Sequence, residues 1–336
     1  MMADSGPDAM FVSGGTDLYP NMKRRQQTPK IVIGLAEIKQ LRFIKGKPKD
    51  GMTLGAGATL TEVTKDKNVR KAYGAVARAA ELISTPHLRN MGSIGGNLLL
   101  DTRCNYYDQT YEWRKGIHFC MKKEGDTCWV APSSPRCWAV QSSDCAPVMV
   151  AIGAKVKLVS KTEERVITAE ALYNDDGIVH LNKRPDELLT EIHLPPINGW
   201  KATYWKLRRR GSFDFPVLGV ATRLLMAADG TVEDAKIILG GVGSHPIEAA
   251  NSEKVIIGKK LTEDLVQEAA AAAYAFAKPL DNTDFAMAWR KEMTKNYVAG
   301  TLRELAGLPP SFPKADIDHS ANGTNGVNGT SGLRIL

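Results

Sequence analysis

The first half of the chain alternates short apolar runs with turn residues, a pattern that predicts strands joined by tight loops. Strands are predicted at Phe11–Val12, Lys30–Leu35, Leu41–Ile44, Met52–Gly55, Ala154–Val159 and Glu187–Leu194, the second of them buried. Helices are predicted from Thr61, which has Glu62 in its first turn, and over the alanine-rich Lys71–Ile83, where apolar residues recur every three or four positions.

Beyond Asn198–Gly199 the pattern changes to three long strands followed by two helices. The strands are predicted at Ala202–Leu207, Val217–Met226 and Val232–Gly240, and the helices at Thr262–Ala277 and Phe285–Leu305, with Thr262 and Asp284 as caps. Runs of strands followed by helices predict an α+β fold. We expect one domain over residues 1–197, a second over 198–308, and a disordered, low-complexity tail over 309–336.

Charge and length narrow the function classes only slightly. The chain has 336 residues and a formal net charge of +7, and its lysines and arginines are spread along its length. This spread favours a solvated basic surface, with an anionic cofactor or an acidic partner, over nucleic-acid binding. No apolar run is long enough to span a bilayer and no secretory signal is visible, so we expect a cytoplasmic protein without membrane contact.

Two glycine-rich loops are candidates for binding phosphate. Ser13–Leu18 (SGGTDL) follows a strand, and Asn90–Asn97 (NMGSIGGN) follows a helix. Glycines allow close backbone approach to a phosphate, although plain tight turns use them equally. Neither loop fits the dinucleotide fingerprint, and a Walker lysine is absent.

All five cysteines lie between Cys104 and Cys145. Cys104, Cys120, Cys128 and Cys137 are separated by 15, 7 and 8 residues, which is neither a zinc-ribbon nor a ferredoxin spacing. Four thiolates suit a tetrahedral zinc or an iron–sulfur cubane, and two disulfides are a third alternative. Cys145 is predicted to be a buried structural thiol. The histidines are scattered, so no catalytic residue is predicted on this chain.

Four motifs give the chain a family resemblance. The order and spacing of SGGTDL, Leu54–Ala58 (LGAGA), Thr85–Asn97 (TPHLRNMGSIGGN) and Ser143–Pro147 (SDCAP) resemble the FAD-binding subunits of the xanthine dehydrogenase family, which includes carbon monoxide dehydrogenase medium subunits. The segment Tyr204–Ala221 resembles the opening of that family's second domain. The resemblance implies a PCMH-type FAD-binding domain of two α+β subdomains, followed by a flavoprotein C-terminal-like domain with an antiparallel sheet and helices.

The resemblance also implies site residues. Both glycine loops would wrap the FAD diphosphate, Asp144 would bind the FAD sugar, and Tyr204 and Lys206 would lie near the flavin ring; alternatively, Tyr204 is a half-buried strand aromatic. The diphosphate set is Ser13, Gly14, Gly15, Thr16, Asp17, Leu18, Gly92, Ser93, Gly95, Gly96 and Asn97. Only Met1–Val12 precedes the first loop, fewer residues than the family usually has.

The cysteine segment carries a second resemblance. Asp101–Cys137 is similar to the insertion in FAD-binding (beta) subunits of 4-hydroxybenzoyl-CoA reductases, which binds a [4Fe–4S] cluster on four cysteines. That resemblance implies an iron–sulfur insertion over residues 101–141 of the first domain. That resemblance implies an oxidoreductase subunit that relays electrons from ferredoxin, through the cluster and FAD, to a small subunit with two [2Fe–2S] clusters. A large molybdenum-cofactor subunit would then dehydroxylate an aromatic CoA thioester, in a dimer of three-subunit units. The alternatives are an oxidative xanthine dehydrogenase-like hydroxylase subunit and a zinc-stabilised interaction protein.

Overall fold

A computed structural model describes residues 2–310. In chain order, strands β1 to β11 are Ala9–Val12, Ile31–Gly34, Ile44–Lys47, Gly51–Gly55, Lys155–Val159, Glu164–Thr168, Leu188–Leu194, Lys201–Leu207, Leu218–Met226, Val232–Gly240 and Ile247–Glu248. Helices α1 to α12 are Met2–Ser5, Leu18–Lys23, Leu60–Lys65, Lys67–Ala72, Gly74–Glu81, Pro86–Arg89, Ile94–Leu98, Tyr111–Gly116, Cys145–Ala151, Ala250–Ile256, Glu263–Ala273 and Met287–Ala306.

The strands form three sheets. Strands β1 and β2 pair in parallel, and the first glycine loop leaves the end of β1. A five-stranded antiparallel sheet has the order β3-β4-β7-β5-β6, and a four-stranded antiparallel sheet has the order β11-β10-β9-β8. This mixture of helices and antiparallel sheets confirms the predicted α+β class.

Two hydrophobic cores hold these layers together. The first lies between the five-stranded sheet and α3, α5, α7 and α9, and it extends to Tyr204, Ala221 and Ile238 on the four-stranded sheet. The second core lies on the other side of the four-stranded sheet, under α10, α11 and α12. The four-stranded sheet is therefore covered on both faces, and one face is the junction with the first half of the chain.

Several sequence-based predictions for single strands and helices were wrong. Strand β2 is only half-buried rather than buried, because it belongs to a two-stranded sheet. The predicted helix Lys71–Ile83 is divided at Tyr73 into α4 and α5. Thr262 caps α11 as predicted, but Asp284 does not cap α12, which begins at Met287.

Two other expectations concern the ends and surface of the chain. Apart from its first two residues, the predicted tail over 309–336 lies outside the described residues. Within residues 2–310 we find no helix that combines the length and the hydropathy needed to cross a membrane.

Candidate functional site

The two glycine loops lie directly against each other. A side-chain carbon on Gly14 would overlap the carbonyl oxygen of Met91, and one on Gly92 would lie 3.4 Å from the Thr16 hydroxyl. Gly15 has a left-handed backbone (φ +69°) and is covered by the ring of Tyr19. Glycine is required at Gly14 because the second loop occupies the space that a side chain would need.

The first loop leaves polar backbone groups free. The amides of Gly14, Gly15 and Thr16 donate no hydrogen bond to any group in residues 2–310. The loop is half-buried, so these amides remain accessible to a ligand. Adjacent unpaired amides in a glycine turn form an anion-binding concavity. The loop therefore fits a phosphate-bearing group such as the FAD diphosphate.

The second loop is fixed from both sides. The amides of Ile94 and Gly95 donate to the carbonyls of Ala58 and Ala56, each at 2.9 Å. The Ser93 hydroxyl caps α7 by accepting a hydrogen bond from the amide of Gly96 at 3.1 Å. These contacts leave Gly96 exposed at the surface of the loop.

Asn97 joins the second loop to the SDCAP motif. Its Oδ1 accepts hydrogen bonds from the Ser143 hydroxyl at 2.7 Å and from the Cys145 amide at 3.2 Å. The structure thus brings SGGTDL, LGAGA, the second loop and SDCAP into one continuous assembly, as their family resemblance implies. Leu18 is the first residue of α2, and the preceding Asp17 is its N-cap residue.

Asp144 is the polar centre of the junction between the two halves of the chain. Its carboxylate accepts hydrogen bonds from the Tyr204 hydroxyl at 2.8 Å and from the Lys206 ammonium at 2.9 Å. Lys206 also donates to the carbonyl of Leu82 at 3.0 Å. Burial raises the pKa of Asp144 and of Tyr204 and lowers the pKa of Lys206. The attraction between Asp144 and Lys206 acts in the opposite direction on the pKa of each of these two residues.

The structure brings these three residues together. The side chains of Asp144 and Lys206 are 3% and 1% exposed, and Tyr204 is fully buried rather than half-buried. The triad connects the two halves of the chain through Asp144. The contacts of Asp144 with the FAD sugar and of Tyr204 and Lys206 with the flavin ring stay predictions.

The insertion brings its four cysteines to one cavity. Cys104, Cys120, Cys128 and Cys137 all line it, with Tyr106, Tyr107, Met121 and Trp129 among its other walls. The cavity is small, with a volume of about 10 Å³. All four thiols are buried and free of disulfides, so the two-disulfide alternative is wrong.

Backbone amides are directed at the cysteine sulfurs. Amides of Tyr106 and Tyr107 point to Cys104, and the amide of Ala139 donates to Cys137 at 3.4 Å. Cys128 accepts from backbone amides at Val130, Ala131 and Trp138. Hydrogen bonds of this kind favour a thiolate over a thiol and raise the potential of a bound cluster.

The thiols themselves differ in acidity. A hydrogen bond between Cys128 and Cys137 lowers the pKa of Cys128 to about 5 and raises that of Cys137. Burial raises the pKa of Cys104 to about 12. Within this pair, the thiolate is therefore favoured at Cys128 over Cys137.

The four cysteines share one cavity without forming a preformed site for a single ion. Among the described residues, no group of three or more histidines, cysteines or carboxylates is arranged to hold a metal ion. The four cysteines nevertheless line one cavity.

Three buried cations of the insertion were missed by the sequence analysis. The side chains of Arg103 and Lys122 are 9% and 6% exposed, and Arg114 is fully buried. Lys122 pairs with Asp101 at 2.8 Å and contacts the ring of Tyr107. A dense mixture of basic and aromatic residues between the cysteines was the only signal for them in the sequence.

Replacing Gly14 by alanine is expected to weaken FAD binding. The new methyl group would overlap Met91, and relieving such an overlap costs about 1–3 kcal/mol, which corresponds to a roughly 5- to 150-fold higher dissociation constant. Fluorescence titration with FAD measures the change. Gly74→Ala is the matched control, because no described atom lies within 4 Å of the added carbon. Equal affinities of the two variants would contradict the role of the first loop.

Comparison with known proteins agrees with this geometry. The family of FAD binding domains in molybdopterin dehydrogenase matches residues 1–197, and the carbon monoxide dehydrogenase flavoprotein C-terminal domain matches residues 202–305. The aldehyde oxidoreductase FAD-binding subunit PaoB of Escherichia coli is 32% identical over 264 residues, covering 75% of this chain and 81% of that protein. The carbon monoxide dehydrogenase medium chain of Hydrogenophaga pseudoflava is 25% identical over 304 residues, covering 88% of this chain and 90% of that medium chain.

The fold comparison gives the same result. A solved Cu,Mo-CO dehydrogenase contains a chain that superposes with a TM-score of 0.73 at 23% identity, covering 91% of this chain and 92% of that chain. Since the relatives are subunits of oxidoreductases, the chain is an oxidoreductase subunit, and the alternative of a non-catalytic zinc protein is wrong. The chain belongs to the family of FAD-binding subunits shared by the xanthine dehydrogenases and the medium chains of carbon monoxide dehydrogenases.

Proposed function

We propose that this chain is the electron-transfer subunit of a 4-hydroxybenzoyl-CoA reductase-like enzyme and that it binds a [4Fe–4S] cluster in addition to FAD. The observation that carries the proposal is the cavity lined by Cys104, Cys120, Cys128 and Cys137. Backbone amides are directed at the sulfurs, and all four thiols are buried and free of disulfides. Both features suit a cluster held by four thiolates.

Each group would have its own residues in this chain. The free amides of the first loop and the exposed edge of the second would hold the FAD diphosphate, and Asn97 would keep the second loop against SDCAP. The four cysteines would hold the cluster, while Asp144, Tyr204 and Lys206 fix the two halves of the chain relative to each other. FAD can exchange electrons in pairs or singly, and an iron–sulfur cluster exchanges one at a time.

The partners follow from the resemblance of the insertion. Reduced ferredoxin would supply electrons in the cytoplasm, and a small subunit with two [2Fe–2S] clusters would receive them. A large molybdenum-cofactor subunit would carry the aromatic CoA thioester, so this chain would not bind that substrate. The assembly would be a dimer of three-subunit units, with this chain divided at residues 197 and 308.

A second candidate is the FAD subunit of an oxidative hydroxylase, which would pass electrons outward. The names of the relatives favour it, since they include an aldehyde oxidoreductase subunit and carbon monoxide dehydrogenase medium chains. The two candidates differ in their electron carrier. A holoenzyme that is reduced faster by ferredoxin than by NADH supports the reductase, and the reverse preference supports the oxidative enzyme.

The composition of the purified chain tests the proposed cluster. Flavin, iron, acid-labile sulfide and zinc are measured after anaerobic purification, with an EPR spectrum of the reduced protein. We expect FAD with about four irons and four sulfides per chain. FAD with zinc and without iron would contradict the cluster and leave the oxidative candidate.

A further inference from the structure

The cysteine insertion rests on the helix that begins at the first glycine loop. Helix α2 starts at Leu18, directly after the loop, and residues 24–27 continue from its end. Residues of the insertion bind this segment along its whole length. The contacts are Arg103 with Asp17 and Asn21, Tyr107 and Asp108 with Gln26, Asp101 with Gln27, and Arg114 with the carbonyls of Arg24 and Arg25.

Arg103 forms the contact nearest to the glycine loop. Its guanidinium binds the carboxylate of Asp17 and donates to Oδ1 of Asn21 at 3.2 Å. The ring of Phe215, from the second half of the chain, covers it at 4.7 Å. With a side chain only 9% exposed, Arg103 has few alternative partners in solvent, so its position and that of Asp17 depend on each other.

The backbone of Arg103 lies next to the cysteine cavity. The residue immediately precedes Cys104 in the chain, and its backbone is fixed by two hydrogen bonds with Val140, of 2.8 and 2.7 Å. On the same side, Asp108 lies 3.7 Å from its guanidinium and donates its backbone amide to the carbonyl of Cys104. Arg103 and Asp108 thus lie between Cys104 and Asp17.

Arg114 makes the same connection at the far end of α2. It is fully buried, and one of its guanidinium nitrogens donates to the carbonyls of Arg24 and Arg25 at 2.8 and 3.0 Å. These carbonyls end the helix, where the backbone lacks partners of its own. The insertion thus holds α2 at both ends, and its own small core is built from Cys104, Cys120, Cys137 and their neighbours.

We propose that Arg103 is a positioning residue that couples the first glycine loop to the four-cysteine cavity, so that FAD and the cluster each bind more tightly when the other is present. The coupling rests on the proposed cluster. When the four thiolates are drawn together on a cluster, Cys104 and Arg103 are fixed, and Arg103 in turn fixes Asp17 and the free amides before it. Coupling between two binding sites is reciprocal, so FAD must strengthen cluster binding by the same factor.

The experiment compares the FAD dissociation constant of the full chain with and without the cluster. Flavin fluorescence is titrated into cluster-loaded protein and into protein whose iron has been removed with a chelator. Removing the cluster is expected to raise the dissociation constant about 5- to 150-fold, the usual range for coupled sites. In Arg103→Met the two values should coincide, and Arg103→Lys, which keeps the charge opposite Asp17, should restore part of the difference.

Arg136→Met is the matched control, because Arg136 belongs to the insertion but binds Asp175 and the ring of Trp138 instead of α2. It should keep the full difference between loaded and iron-free protein. Iron-containing wild-type protein whose FAD affinity is unchanged by iron removal would overturn the coupling alone, as would an Arg103→Met variant that keeps it. Wild-type protein without any iron would overturn the proposed cluster and the coupling with it.

Discussion

Replacement of Cys128 by serine is expected to reduce the iron and acid-labile sulfide of the purified chain from about four each to near zero. A hydrogen bond with Cys137 lowers the pKa of Cys128 to about 5, and three backbone amides are directed at its sulfur. A serine hydroxyl keeps its proton at neutral pH and is a poor ligand for iron. Iron analysis and the EPR spectrum of the reduced protein measure the loss.

The fifth cysteine provides the control. Cys145 is fully buried in α9, within the first core, and burial raises its pKa well above that of a free thiol. Cys145→Ala should therefore leave iron and sulfide unchanged. Full iron content in Cys128→Ser, or loss of iron in Cys145→Ala, would show that the cavity does not hold the cluster.

Replacement of Asp144 by alanine is expected to destabilise the protein by about 3–5 kcal/mol, because it leaves a buried lysine without its counter-charge. Lys206 is 1% exposed at its side chain, and within residues 2–310 its second hydrogen-bond partner is the carbonyl of Leu82. The Tyr204 hydroxyl loses its acceptor as well. Urea denaturation followed by tryptophan fluorescence measures the change in unfolding free energy.

A half-exposed ion pair on the same sheet is the matched control. Asp234 binds Arg223 at 2.6 Å with 47% of its side chain exposed, and Asp234→Ala should cost less than about 1 kcal/mol. Adding Lys206→Met to Asp144→Ala should recover part of the loss, because the uncompensated charge is then removed. Equal effects of Asp144→Ala and Asp234→Ala would mean that the junction tolerates the buried lysine.

Local sequence patterns predicted the second half of the chain well. Strands β8, β9 and β10 begin within one residue of their predicted starts. Their apolar residues must face the two cores, which leaves little freedom in how the strands pair. The helix predicted to begin at Phe285 begins at Met287 instead, because Phe285 has a left-handed backbone (φ 69°). A sequence does not signal such a conformation at a phenylalanine.

The site was predictable only where its residues lie in motifs. Both glycine loops and the cysteines were identified from motifs and their order in the chain, and the structure brings the two loops together and the four cysteines to one cavity. The partners of Asp144 were not predictable, since Tyr204 is 60 residues away and lies beyond a change of domain. Arg103 was missed for the same reason, because Asp17 and Phe215 meet it from distant parts of the chain.

The two ends of the insertion touch each other. Arg103 and Val140 form an isolated antiparallel bridge, so the segment between them leaves the body of the protein and returns at a single point. A segment of this kind can be gained or lost in evolution without rerouting the rest of the chain. A flavoprotein of this family could thus acquire a second redox centre in one genetic event, and the later selection would act mainly on the residues that fasten the new segment to α2.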